Sequence, residues 1–251
     1  RLPRWNIPYL ITLRRILKKY KFTHVFDLQN SNRTNFYKKF ILKEPVWSSS
    51  VTMLEKDVDK KSFDKYPVLE RMELQLKKSN VITKNIYKID LSWAFVDISR
   101  MLKQYTNNEY ILIFPFCSKK HVQKKWPYFK KLIVKIKEHY KNKYPILIAP
   151  GPDEIDESKQ LNAKVVLESG NPINLNQLIT LIHKSKYVIS NDTGPAHICS
   201  HLRKDGLVLF GSHTSPEKVN IGNENFKILR SKNLSDLSEV SVLEEVMKNL
   251  N

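Results

Sequence analysis

The sequence predicts an α/β protein built on a parallel sheet with helices on both faces. Three observations carry this. From Tyr110 onward, short apolar runs alternate with amphipathic stretches, the rhythm of strand, helix, strand, helix. Tyr110 to Phe116 is continuously apolar, as befits a strand buried on both faces. Polar, turn-forming loops follow the apolar runs, where an open α/β sheet gathers its ligands. The length of 251 residues suits one large domain or two of ordinary size. Tyr105 to Asn108 reads as a linker, dividing 1–106 from 107–251.

Residues 1–22 read as a basic, Trp-bearing entry and a helix. Leu10, Leu13, Ile16 and Leu17 fall at helical spacing, with Arg14, Arg15, Lys18 and Lys19 opposite. Such a helix can cover a sheet or lie on an anionic bilayer surface. His24 to Gln29 has the pattern of a short buried strand and runs into the polar loop Asn30 to Asn35. Asp27, Gln29 and Arg33 sit at that strand end, although Asp and Asn there can also serve only to form turns. Residues 44–66 read as loop. Pro67 to Lys78 reads as a helix, Ile86 to Leu91 as a strand and Asp97 to Tyr105 as a helix.

In the second half, the strand at Tyr110 is followed by a basic loop, Cys117 to Lys125. Trp126-Pro127 then opens a helix whose apolar stripe is Trp126, Phe129, Leu132, Ile133 and Ile136, with Pro in the first turn. Tyr144 to Ala149 is a second strand, ending in Pro150 to Glu154. Val165 to Leu167 reads as a third strand. Asn174 to Lys184 reads as a helix with Leu175, Leu178, Ile179 and Ile182 apolar. Strands at Tyr187, Leu207 to Phe210 and Phe226 to Leu229 follow. The closing helix carries Leu243, Val246, Met247 and Leu250, with Ser241 and Glu244 as a capping box.

The stretch that organises the chain is Ser190-Asn191-Asp192-Thr193-Gly194-Pro195-Ala196-His197. It joins a buried strand to a helix and offers the backbone N–H groups of a helix N-terminus. Either Asp192 or Thr193 can be the N-cap, and Pro195 suits the first turn. Gly194 lets a ligand approach the backbone. Such a site takes an anion, most often phosphate. The plain alternative is an ordinary capped helix with a surface His197.

Formal net charge is +18, which calls for an acidic partner. Residues 1–50 hold 11 Lys/Arg against 2 acids, and 111–151 hold 10 against 1; the remainder cancels. The aromatics fall on apolar stripes and not among exposed basic residues, and no nucleic-acid-binding motif is visible, which argues against a nucleic-acid partner. The two cysteines, Cys117 and Cys199, lack metal spacing and are too few for a disulfide framework. A reducing, cytoplasmic setting is expected. No apolar run approaches the length of about 18 residues that a spanning helix needs. No metal cluster and no cofactor are expected.

The loops Lys124-Lys125-Trp126-Pro127, Gly151-Pro152-Asp153-Glu154, Ser190 to His197 and Phe210-Gly211-Ser212 through Pro216, in this order, resemble the family 9 glycosyltransferases. These are the bacterial ADP-heptose heptosyltransferases of lipopolysaccharide core assembly. The likeness is closest over 110–230 and looser over 20–40.

The resemblance implies a GT-B architecture of two Rossmann-like domains facing across a cleft: a partial acceptor-side domain over 1–106 and a nucleotide-sugar domain over 107–251. It implies that Ser118 and Lys124 contact the diphosphate, with Lys120 and Lys125 as rivals for the lysine's place. It places Glu154 on the ribose, the backbone around Ile173 to Leu175 beside the adenine, and Asp192 by the sugar. Thr193 and Gly194 meet the phosphates, with His197 near, while Asp27, Gln29 and Arg33 face the acceptor side. It also implies an inverting transfer of heptose from an ADP-sugar to a lipid-linked saccharide acceptor on the anionic inner membrane. The family's general base lies in an opening strand and turn that residues 1–20 do not match. Its place is therefore expected upstream of Arg1, and the chain reads as the remainder of a longer protein. A GT-B enzyme using another nucleotide-sugar, or a family member that binds nucleotide without turnover, would fit the same residues.

Overall fold

The computed structural model describes residues 6–53, 60–84, 86–213 and 215–250. The chain forms two compact units, Arg1–Ile86 and Tyr87–Asn251. The sequence places the boundary some 20 residues later, yet residues of 87–106 pack into the second unit. Ile98 and Met101 are buried beside Tyr110 in its core. Tyr105 also uses its hydroxyl to donate to Leu167 O (2.8 Å) and to accept from Leu167 N–H (2.9 Å). No described helix is long and apolar enough to cross a membrane.

The first unit runs α1 (Ile7–Lys19), β1 (His24–Phe26), α2 (Asn32–Phe40), β2 (Val46–Ser48), α3 (Ser50–Met53), α4 (Lys60–Phe63) and α5 (Val68–Lys78). Asn6 caps α1 by accepting from Tyr9 N–H, and Lys18 and Lys19 close it, complementing the helix dipole. No residue of α1 is buried. β1 and β2 pair in parallel, His24 opposite Val46 and Phe26 opposite Ser48. The strand expected over His24–Gln29 is therefore shorter and less buried: His24 and Phe26 are exposed. Asp27 Oδ1 accepts from Asn30 N–H (2.9 Å) and turns the chain out of the strand. Residues 44–66, read from sequence as loop, hold β2, α3 and α4, each too short to show a period. Gln75 of α5 is buried because its amide serves three partners. Its Nε2 donates to Asp27 O and Ser48 O, both at 3.0 Å, and its Oε1 accepts from Asn30 Nδ2 at 3.1 Å.

The second unit runs α6 (Ser99–Leu102), β3 (Ile111–Phe114), α7 (Phe129–His139), β4 (Ile146–Ile148), α8 (Ile155–Ser158) and β5 (Lys164–Val165). It continues through β6 (Leu167–Glu168), β7 (Asn171–Pro172), α9 (Leu175–Lys184), β8 (Tyr187–Asn191), α10 (Gly194–His201) and β9 (Gly206–Phe210). It ends with α11 (Pro216–Val219), β10 (Phe226–Arg230) and α12 (Glu239–Asn249). Six strands form one parallel sheet in the order β10-β9-β8-β3-β4-β5. The pleat sorts side chains by parity. Ile111, Ile113, Ile146, Ile148, Ile189 and Leu209 face one core with α7 and α12. Leu112, Phe114, Leu147, Val188, Val208 and Phe210 face the other with α9 and α10. All six carboxyl ends thus open on one edge.

Several expectations shift here. Ile86 to Leu91 forms no strand: a turn covers it, and Asp90 Oδ1 accepts from Ser92 N–H (2.8 Å) to start a 3-10 turn. Only Ser99–Leu102 of the helix expected over Asp97–Tyr105 is helical. Trp126-Pro127 precedes α7 instead of opening it: Tyr128 is the N-cap, and Trp126, as the residue before a proline, is disfavoured in the helical region. Leu167 leaves the main sheet for a two-residue hairpin with β7, turned by Ser169 (φ 49°) and Gly170 (φ 79°). Leu175 is exposed. Ser238, not Ser241, caps α12, its Oγ accepting from Ser241 N–H at 3.1 Å.

Candidate functional site

The site grows from the end of β8. Asn191 is fully buried. Its Nδ2 donates to Pro115 O (2.8 Å), and its Oδ1 accepts from Trp126 N–H (3.1 Å). One amide thus holds both ends of the loop that leaves β3. Between those ends, Ser118 caps the 3-10 turn Lys119–Lys124, and Lys124 is delivered over the end of β8.

Asp192 follows, 2% exposed. Its Oδ2 accepts from Lys124 Nζ at 2.6 Å and His213 Nε2 at 2.8 Å, and its Oδ1 lies 3.8 Å from His197 Nε2. Burial pushes the Asp192 pKa up. The hydrogen bonds from Lys124 and His213, with the charges of Lys124 and His197, outweigh it and leave the carboxyl below the ordinary carboxylate value. His197 is driven down by burial, and Lys124 adds to this while Asp192 opposes it. The cluster at neutral pH is an ammonium on an ionised carboxylate, flanked by a neutral His197.

Thr193 is the N-cap of α10, with Pro195 in the first turn; no side chain caps the helix. A Cβ placed on Gly194 would meet open space. Pro195 has no N–H, and those of Ala196 and His197 go to Thr193 O (3.0 and 3.4 Å), so Gly194 N–H is the donor that the start of α10 leaves for a ligand.

Beside it lies a cavity of about 310 Å³. Its walls include Ser118 and Cys117 from the loop after β3, Gly151 and Glu154 from the loop after β4, Ile173 and Leu178 near α9, and Thr193 and Pro195 from α10. The apolar wall at Ile173 stands where the sequence expects the base of a nucleotide. Glu154 Oε2 accepts from Gly151 N–H (2.8 Å), which folds its loop back; Oε1 has no hydrogen-bond partner among the described residues.

The structure thus brings Ser118, Glu154 and Thr193 onto one cavity and gathers Lys124 and His197 on Asp192, two residues before Gly194 in the chain. Of the three candidate lysines, Lys124 joins the cluster. Lys125 pairs with Glu157 and stands 5.5 Å over the Phe116 ring, and Lys120 is exposed. In the other unit, Asp27 is buried with its carboxylate in a turn, Gln29 is exposed, and Arg33 sits in the first turn of α2. His213 was missed as a site residue. The segment Phe210 to Pro216 enters the sequence reading only through the family resemblance, and nothing in the chain order ties a histidine there to Asp192, 21 residues away.

Residues 10–248 match the profile of glycosyltransferase family 9 (heptosyltransferase). No curated protein sequence matches the chain significantly. Among solved structures, the chain is similar to the E. coli heptosyltransferase WaaC with ADP, at 17% identity and a TM-score of 0.67, covering 96% of this chain and 77% of that one. It is similar to E. coli ADP-heptose lps heptosyltransferase II at 15% identity and 0.66, covering 97% and 81%. It is also similar to a family 9 glycosyl transferase from Veillonella parvula at 15% and 0.74, covering 100% and 80%. At these identities the structural likeness speaks for the fold, the α/β arrangement of GT-B glycosyltransferases. The profile match spans nearly the whole sequence, and on it the chain belongs to glycosyltransferase family 9, the heptosyltransferase family.

Proposed function

We propose that the chain belongs to an inverting transferase that moves heptose from ADP-heptose to a lipopolysaccharide-core type acceptor. The observation that carries this is the convergence of Ser118, Glu154 and Thr193 on one cavity beside the uncapped start of α10. The ADP would lie with its adenine against Ile173, its ribose at Glu154 and its diphosphate before Gly194, within reach of Ser118 and Lys124. The heptose would project toward Asp192.

In an inverting transfer, the acceptor hydroxyl attacks the anomeric carbon opposite the leaving ADP. That bond forms as the sugar–phosphate bond breaks, and negative charge grows on the diphosphate. Preorganised donors must meet that charge. A helix N-terminus supplies about 0.3–2 kcal/mol, against barrier reductions of roughly 8–23 kcal/mol in enzymes. Lys124, His197, the α10 backbone and substrate orientation must therefore act together. On this reading, residues 107–251 hold the donor, and Asp27, Gln29 and Arg33 belong to the acceptor side. The basic N-terminal stretch would rest on an anionic inner-membrane surface where a lipid-linked acceptor waits.

Titration calorimetry with ADP tests it. ADP should bind the wild-type chain, and Lys124→Ala should raise the Kd about tenfold or more. An unchanged Kd removes Lys124 from the phosphate site. A panel of ADP-heptose, ADP-hexose and UDP-hexose then reads the donor: tighter binding of a UDP-sugar would overturn the ADP assignment.

A further inference from the structure

We infer that His213 is a positioning residue for the diphosphate: through Asp192, it holds the Lys124 ammonium where the donor's phosphates must meet it. The inference rests on the nucleotide-diphosphate reading above.

The contacts are specific. His213 is nearly buried, its side chain 6% exposed, and its Nε2 lies 2.8 Å from the Asp192 oxygen that also accepts from Lys124 Nζ at 2.6 Å. An ionised carboxylate only accepts hydrogen bonds, so the contact requires the proton on His213 Nε2. The ring is held from three sides. It stacks on Phe210, with centroids 5.4 Å apart and planes at 22°. Gly211 supplies the necessary room: a Cβ there would stand 3.0 Å from His213 Nδ1. Nδ1 itself is buried without a hydrogen-bond partner among the described residues, so among these Asp192 is the polar partner that fixes the ring.

The physical consequence follows from charge. Lys124 alone on Asp192 would be a closed ion pair, its carboxylate free to rotate and to draw the ammonium away from an incoming anion. With Nε2–H also on Oδ2, the carboxylate is fixed in rotation and its charge is shared between two donors. Lys124 keeps two of its three N–H donors for phosphate oxygens. This side chain touches Asp192 and not the donor, so its effect belongs to the part of the ligand that carries phosphate.

The test compares ADP with adenosine by calorimetry on the whole chain. His213→Ala should weaken ADP about tenfold and leave adenosine unchanged, because adenosine has no phosphate for Lys124. His213→Gln, whose amide can donate to Asp192, should recover most of the loss. In a Lys124→Ala background, His213→Ala should add nothing further. Equal weakening of ADP and adenosine, or an undiminished His213→Ala effect without Lys124, would reduce His213 to a packing role. ¹⁵N NMR of the unliganded protein reads the contact independently of nucleotide: the Nε2–H tautomer is expected for His213, and an Nδ1–H tautomer overturns the inference. If wild-type protein binds no ADP while the Nε2–H tautomer is present, the donor reading falls and the Asp192–His213 contact stands.

Discussion

Trp126 donates its backbone N–H to Asn191 Oδ1 at 3.1 Å, while the same amide donates from Nδ2 to Pro115 O at 2.8 Å. Asn191 therefore closes the loop that carries Ser118 and Lys124. Asn191→Ala would strand a buried N–H and a buried carbonyl, at roughly 1–3 kcal/mol each. A loss of about 2–5 kcal/mol in urea unfolding is expected, together with weaker ADP binding, since Lys124 would no longer be delivered to Asp192. A variant that unfolds normally would show that the loop holds its shape without this amide.

Gly194 separates stability from binding. Its φ is not positive, and a Cβ added there meets nothing within 4 Å. Alanine here would be a helical residue directly before Pro195, whose Cδ crowds a Cβ, so Gly194→Ala should cost stability by no more than about 1 kcal/mol. The added methyl nevertheless projects into the space where a phosphate would approach the backbone. ADP affinity should fall several-fold in a variant that stays folded at the temperature of the assay. Unaltered affinity would mean that the diphosphate does not pass Gly194.

The architecture of the second unit was legible in the sequence because the relevant signals are local. Strands buried on both faces read as unbroken apolar runs, and Asp-Thr-Gly-Pro after β8 reads as an open helix start. The loops carrying Ser118, Glu154 and Thr193 follow strands of one parallel sheet, so their convergence follows from topology. What stayed hidden depends on long-range partners. Trp126 lies outside its expected helix, its N–H bonded to Asn191 across 65 residues, a partner that no local pattern announces. Ser241 looks like a cap until Ser238 takes that role. His213 carries no local sign of Asp192. In the first unit, three-residue strands and four-residue helices are too short for any period to emerge.

Acid should destabilise the fold below about pH 6.5. His197 and His201 are both pushed below the ordinary imidazole value, in each case chiefly by burial. The unfolded chain therefore binds protons that the native state refuses, and stability falls as pH drops past the unfolded histidine value. Asp192 adds a second, lower window. Its native pKa is depressed, so its contribution is present above the unfolded value of about 3.9 and is lost as pH falls toward the native one. Urea midpoints measured from pH 8 down to pH 2 should show both declines, the histidine one below about pH 6.5 and the Asp192 one below about pH 3.9. His201→Gln should flatten the upper one. A midpoint constant from pH 7 to pH 5 would contradict the assignment of the buried histidines.

Cys117 offers a direct footprint of the cavity proposed to hold the donor. It lines the cavity and is half-buried, whereas Cys199 is fully buried in the sheet–helix core. Burial raises both thiol pKa values, and the thiolate is the reactive form. Iodoacetamide should therefore label Cys117 alone in the folded protein, slowly at pH 7 and faster at pH 9. Saturating ADP should protect it, because the nucleotide would occupy the space the reagent must enter, while adenosine should protect in proportion to its weaker binding. Peptide mass mapping distinguishes the two thiols. Labelling of Cys117 at the same rate with and without ADP would place the nucleotide outside this cavity, even if calorimetry finds binding.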